Sequence, residues 1–123
     1  MIGQSGQAIE VELVEVGMTV FDQPADVDPD QHINGGIVTA IETHVDANTG
    51  EVMRHFVCAE PYRGSVRFHT FTADQVRQVA PMQPANVRYL IRQLGLMVSR
   101  SKQVLTDQAH AITAMHALME VLT

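Results

Sequence analysis

Two hydrophobic periods divide the chain. Over the first two thirds, apolar positions recur at about every second residue, the period of strands that bury one face. IEVELVEV (9–16) shows it first, Gly17 punctuates, and MTVF (18–21) resumes the extended pattern. After Gly35-Gly36, IVTAIETHV (37–45) puts Ile37, Thr39, Ile41, Thr43 and Val45 on one face and Glu42 and His44 on the other. DANTG (46–50) reads as a hairpin connection, with Gly50 available for positive φ. EVMRHFVCA (51–59) is the returning strand, EPYRG (60–64) the next turn and SVRFHTF (65–71) the next strand. TADQV (72–76) reads as a single helical turn leading into a last short strand, VRQV (76–79).

APMQPAN (80–86), with two prolines, breaks this regime. Beyond Pro84 the apolar residues recur in steps of four and three: Val87, Ile91, Leu94, Val98, then Leu105, Ile112, Met115, Met119 and Leu122. Ser101 and Gln108 fill the two intervening seam positions, while Leu90, Met97, Val104, Ala111 and Leu118 widen the stripe. The pattern predicts one long helix or a helical hairpin. Gly95 costs about 1 kcal/mol against Ala without forcing a break, and Thr106-Asp107 suits the cap of a second helix. Either form needs cover for its apolar face, because an isolated helix is marginal. A helix of up to about 37 residues would run about 55 Å, past the edge of a small strand domain. The expectation is therefore homo-oligomerisation through the nine stripe residues from Val87 to Leu122.

Five short strands joined by tight turns point to a small barrel or a strongly twisted sheet. The opening V-x-V-G-M-x-V, the long polar loop, the glycine-initiated strand, the two hairpins and TADQVRQV together resemble a Src-homology-3-like small barrel. That superfold includes KOW and Tudor modules. The resemblance spans about residues 9–80, is one of pattern and strand order, and implies fold rather than function. The expected class is α+β: an N-terminal small five-stranded antiparallel β-barrel (1–80) followed by a long C-terminal helix or helical hairpin (81–123).

Composition adjusts this picture in two respects. Aromatics are scarce, with no Trp, two Tyr and four Phe, so the aromatic peptide-binding face of true Src-homology-3 domains is not evident. Seven Met residues supply adaptable apolar volume instead. The single cysteine, Cys58, excludes an intramolecular disulfide and fits a reducing compartment. No basic segment followed by an apolar run opens the chain, and no apolar run approaches the roughly 18 residues of a membrane span. The expected setting is cytoplasmic.

Charge is unevenly spread. Residues 1–83 carry twelve Asp/Glu and four Arg, a net −8, and residues 84–123 carry Arg88, Arg92, Arg100 and Lys102 against Asp107 and Glu120, a net +2. An acidic body disfavours nonspecific phosphate binding over most of the surface. The four basic residues of 88–102 are the candidate nucleic-acid contacts; Arg88 and Arg92, four apart, share a helical face. The same residues suit acidic groups of a neighbouring chain, the favoured reading.

ADVDPDQHINGG (25–36) is the most chemical-looking stretch. Asp26, Asp28 and Asp30 match the first three ligand positions of a calcium loop, but Gln31 stands where its glycine is required and Ile37 where its bidentate Glu belongs. The stretch is read as a polar loop whose three aspartates are candidate partner contacts. Tyr62 and Arg63, residue types favoured in interfaces, are the others.

Of the histidines, His44, His55 and His69 fall on three successive strands, with Glu42 sharing the face of His44. If the second hairpin sets His55 opposite His69, the rings adjoin closely enough to share a metal; a one-residue slip sends them to opposite faces. Solvent-facing histidines are the favoured reading, and no metal or other cofactor is expected. His110 and His116 are six apart, the wrong spacing for one helical face. Cys58 beside His55 or His69 raises a thiol nucleophile, but its strand face, shared with Val52 and Phe56, marks a small core residue. Paired carboxylates occur only in the loop, and no nucleophile elbow, phosphate loop, C-x-x-C or H-E-x-x-H is present. The chain reads as non-catalytic: a binding or regulatory adaptor that presents an acidic barrel on a helical core to a protein partner. The alternative is a nucleic-acid-associated regulator.

Overall fold

The computed structural model describes residues 13–22, 35–100 and 105–123, with the side chains of 100 and 105–107 left aside. The strands are β1 (Thr19–Phe21), β2 (Gly35–Val45), β3 (Val52–Tyr62), β4 (Ser65–Thr72) and β5 (Gln78–Ala80), with a 3-10 turn at Ala73–Gln75. Two helices follow, α1 (Pro84–Arg100) and α2 (Leu105–Val121). All strand pairs are antiparallel, in the order β4-β3-β2-β1-β5. β4 and β5 are not joined to each other, so the sheet is open. The class is α+β, as expected.

Both hairpins owe their shape to specific residues. In the β2–β3 turn the Asp46 carboxylate accepts the N–H groups of Asn48 (2.7 Å) and Thr49 (3.1 Å), and Gly50, at φ 74°, donates to the Asp46 carbonyl (2.8 Å). These donors hold the Asp46 carboxyl below the usual carboxylate range. The β3–β4 turn is only two residues long. Arg63 (φ 50°) and Gly64 (φ 78°) both lie in the left-handed region that primed hairpin turns require. The alternation suggests a five-residue turn, EPYRG; in the structure Glu60, Pro61 and Tyr62 continue β3, opposite Arg67, Val66 and Ser65. Pro61 is tolerated because the last β2–β3 pair is Ile37–Ala59, so no β2 residue opposite it requires its missing N–H.

β2 does not keep one face throughout. Val38 pairs with Cys58 and Ala40 with Val57, leaving Thr39 as a bulge residue. Thr39 is buried, and its hydroxyl donates to the Val57 carbonyl at 3.1 Å. The extra residue shifts the alternation by one. Ile37 therefore packs on one side of the sheet, whereas Val38 and Ile41 pack on the other. The expected single face of Ile37, Thr39, Ile41, Thr43 and Val45 is thus divided.

Each side of the sheet carries a core. Val14, Val20, Val38, Phe56, Cys58, Phe71 and Val79 cluster on one side. On the other, Ile37, Ala59 and Val66 pack with Val87, Leu90 and Leu94 of α1 and Ala111, Ala114 and Leu118 of α2. The long single helix does not form. Gln108 Nε2 lies 3.5 Å from the Val98 carbonyl, and a Cβ built on Gly95 would sit 3.7 Å from Met115 Cε. Farther from the link, Met82 and Val121 both border Gly17. The helices are therefore antiparallel and turned back onto the sheet. Burying their stripe on an existing apolar face costs less entropy than recruiting a second chain. Among the described residues, no helix is long and apolar enough to cross a membrane.

Candidate functional site

The two-residue turn at Arg63-Gly64 sets the register of everything near it. It places Glu60 opposite Arg67 and Cys58 opposite His69, so these four side chains share one face of the β3–β4 ribbon. Arg67 Nε donates to Glu60 Oε1 at 2.8 Å, and His69 Nε2 lies 3.1 Å from the same oxygen. The Arg67 guanidinium also lies over the Tyr62 ring, 3.9 Å from its centroid, with the Arg63 guanidinium at 5.1 Å. Tyr62 and Arg63 remain exposed at the tip. The result is an aromatic ring held in place by packing guanidinium groups, with one carboxylate beneath them.

Beside this tip opens a cleft of about 260 Å³, lined by Phe21, Gly35, Gly36, Glu60, Pro61 and Tyr89 among others. Its floor depends on the two glycines. A Cβ on Gly35 would fall 2.5 Å from Phe21 Cδ1, and one on Gly36 would fall 2.9 Å from the Ala59 carbonyl oxygen. β1 and β3 can approach β2 this closely only where side chains are missing.

Comparison with known proteins finds no matching family model, curated protein or solved structure. The site must therefore be judged on its geometry.

The other candidates are dispersed. Asp26, Asp28, Asp30 and Lys102 lie outside the described residues, as do the side chains of Arg100 and Leu105. Arg88 and Arg92 are exposed on α1, flanking the exposed ring of Tyr89. Of the expected oligomer stripe, Val87 and Leu94 are buried in the chain's own core, Ile91, Val98, Met115 and Leu122 are half-buried, and Ile112 and Met119 are exposed.

His55 and His69 are not neighbours: His55 stands opposite Thr72 and His69 opposite Cys58, on different faces. His55 instead stacks on His44 at 4.1 Å, with His44 Nε2 3.3 Å from Glu42 Oε1. Among the described residues, no group of three or more His, Cys, Asp or Glu side chains is arranged to hold a metal. Cys58 is fully buried, with Sγ 3.7 Å from the Phe56 carbonyl. Burial pushes its thiol up to about 12. It is therefore no thiolate at neutral pH, and His69, committed to Glu60, does not change that.

Glu60 and Arg67 escaped the sequence reading. The signal was present in Arg63-Gly64, a two-residue turn that would have fixed the pairing; treating Glu60 and Pro61 as turn residues concealed it.

Proposed function

We propose that the protein is a non-catalytic binding or regulatory module, built on a Src-homology-3-like sheet, that engages a protein partner through the β3–β4 tip. The strand order β4-β3-β2-β1-β5 and the 3-10 turn before β5 support the fold resemblance. The observation that carries the functional reading is the exposed Tyr62 ring stiffened by Arg67, with Arg63 beside it. Tyr and Arg anchors bind best when their rotamers are already fixed, because less entropy is lost on contact. The adjoining cleft gives a partner side chain a place to insert. Arg67 is engaged by Glu60, which leaves Arg63 as the cation offered to a partner carboxylate.

The test is affinity capture from the native host with wild type, Tyr62→Ala and Arg63→Ala in parallel, after thermal melts show that the variants are folded. A species retained by wild type and lost with either variant supports the reading; equal retention by all three overturns it.

A second reading rests on Arg88, Tyr89 and Arg92, which together expose two cations and a stacking ring on α1. In this reading the protein is a nucleic-acid-associated regulator. Its binding to single-stranded RNA or DNA would weaken with salt and disappear in Arg88→Ala/Arg92→Ala. No retention at low salt dismisses it.

A further inference from the structure

We propose that the edge of β2 from Ile41 to Val45 is a homodimer interface, where two copies pair antiparallel about a twofold axis through Thr43 and continue the sheet across the dimer. β1 pairs with β2 only at Gly35, Gly36 and Ile37. One further pair of bonds follows, Val38 N–H to the Met18 carbonyl and Gly17 N–H to the Val38 carbonyl, both 2.8 Å. Beyond Val38, no strand among the described residues lies on that side of β2. The segment is also exposed: Glu42 through Val45 face solvent, and Val45 is 65% accessible.

The direction of the backbone groups follows from the bulge. Val38 points toward β1, and Thr39 is the extra residue, so the strand resumes with Ala40 pointing toward Val57 of β3. Asp46, six residues on, also points inward, donating to the Glu51 carbonyl at 2.8 Å. Ala40, Glu42 and His44 therefore spend their N–H and C=O groups on β3. Ile41, Thr43 and Val45 direct theirs outward. Such an edge is a template for another strand.

Side-chain chemistry selects both the occupant and the register. With the axis at Thr43, Glu42 faces His44 of the partner subunit, Ile41 faces Val45 of the partner subunit, and the two Thr43 residues face each other. Every cross-strand pair is then complementary, an acid with an imidazole and an aliphatic with an aliphatic. An axis at Glu42 would set two Glu42 carboxylates against each other. An axis at His44 would set Glu42 against Asp46 of the partner subunit. Both place like charges directly opposite and are disfavoured. The chosen register is isologous and closes as a dimer, with the outward groups of Ile41, Thr43 and Val45 all paired. A two-strand contact buries less than a standard interface, so a micromolar, reversible dimer is expected.

This inference is independent of the partner site at Tyr62, and the test separates the two. Light scattering of the full chain at micromolar concentrations should give twice its 13.6 kDa mass, with Tyr62→Ala still dimeric. Thr43→Pro removes an outward donor and should raise the dissociation constant at least tenfold. Glu42→Lys should weaken the dimer similarly, and Glu42→Lys/His44→Glu should restore it, a rescue that misfolding cannot imitate. Hydrogen exchange should slow at Ile41, Thr43 and Val45 as concentration rises, while Ala40, Glu42 and His44 stay protected throughout. A monomer at all concentrations overturns the proposal. So does a dimer that survives Thr43→Pro but not Ile112→Glu/Met119→Glu, which would place the contact on the helices.

Discussion

Arg67 sits over the ring of Tyr62, two strand positions from its ion-pair partner Glu60. One guanidinium thus stiffens an exposed aromatic and shares a carboxylate with His69. Arg67→Ala should therefore cost about 1–2 kcal/mol, the scale of a half-exposed cation–π contact plus a charge-assisted hydrogen bond. Arg63→Ala should cost under about 0.5 kcal/mol, as for other surface substitutions. Urea melts of both variants check the difference, and equal losses would show that Arg67 does not brace the tip.

Gly36 faces backbone, not a movable side chain. The Cβ of Gly36→Ala would meet the Ala59 carbonyl oxygen at 2.9 Å, so the β2–β3 spacing must widen where the sheet is most buried. A loss of about 2 kcal/mol or more is expected, within the range for overpacking. At Gly64 the space is open and only φ 78° resists, so Gly64→Ala should cost about 1 kcal/mol. Chemical denaturation ranks the two, and the reverse order would contradict the close approach.

The helical stripe should separate into buried and exposed members. Leu94→Ala removes a fully buried side chain between sheet and helices and should cost about 2–5 kcal/mol. Ile112→Ala, on an exposed position, should cost under about 1 kcal/mol. Thermal melts at one protein concentration decide this.

Cys58 should be inert to a thiol reagent such as dithionitrobenzoate under native conditions and should react fully in denaturant. Burial and a thiol shifted up to about 12 leave almost no thiolate at neutral pH. Fast native labelling would mean that the core around Cys58 and Phe56 opens readily.

Asp46 gives the first hairpin an acid limit. Its carboxyl is depressed in the folded state by the Asn48 and Thr49 N–H donors, so its stabilisation is full above the unfolded value of 3.8. That contribution fades as pH falls through the lower folded value. Asp46→Asn keeps an acceptor but cannot titrate, so its melting temperature should fall less between pH 5 and acid than that of wild type. Parallel curves would remove Asp46 from the acid response.

Much of the fold can be read locally. The alternation in 37–45, 51–59 and 65–71 and the glycines at 50 and 64 announce strands and turns, because side-chain period and allowed φ are properties of a few neighbouring residues. The candidate site was less legible. Tyr62 and Arg63 stood out as residue types, but Arg67 and Glu60 join them only through a register that a one-residue change in turn length would undo.

The sequence alone determined that strands precede helix, the change from a two-residue to a helical period at the prolines, and the burial of Cys58 with Phe56. Each follows from spacing along the chain. Spacing did not determine that β1 is confined to Thr19–Phe21, with residues 13–16 outside any strand. Only the tertiary structure decided the bulge at Thr39 and the destination of the helical stripe. A bulge is a mismatch between two strands and leaves no mark in either one. The apolar face that receives Val87, Leu90 and Leu94 exists only once Ile37, Ala59 and Val66 stand side by side on three strands, which no single stretch of the chain can show.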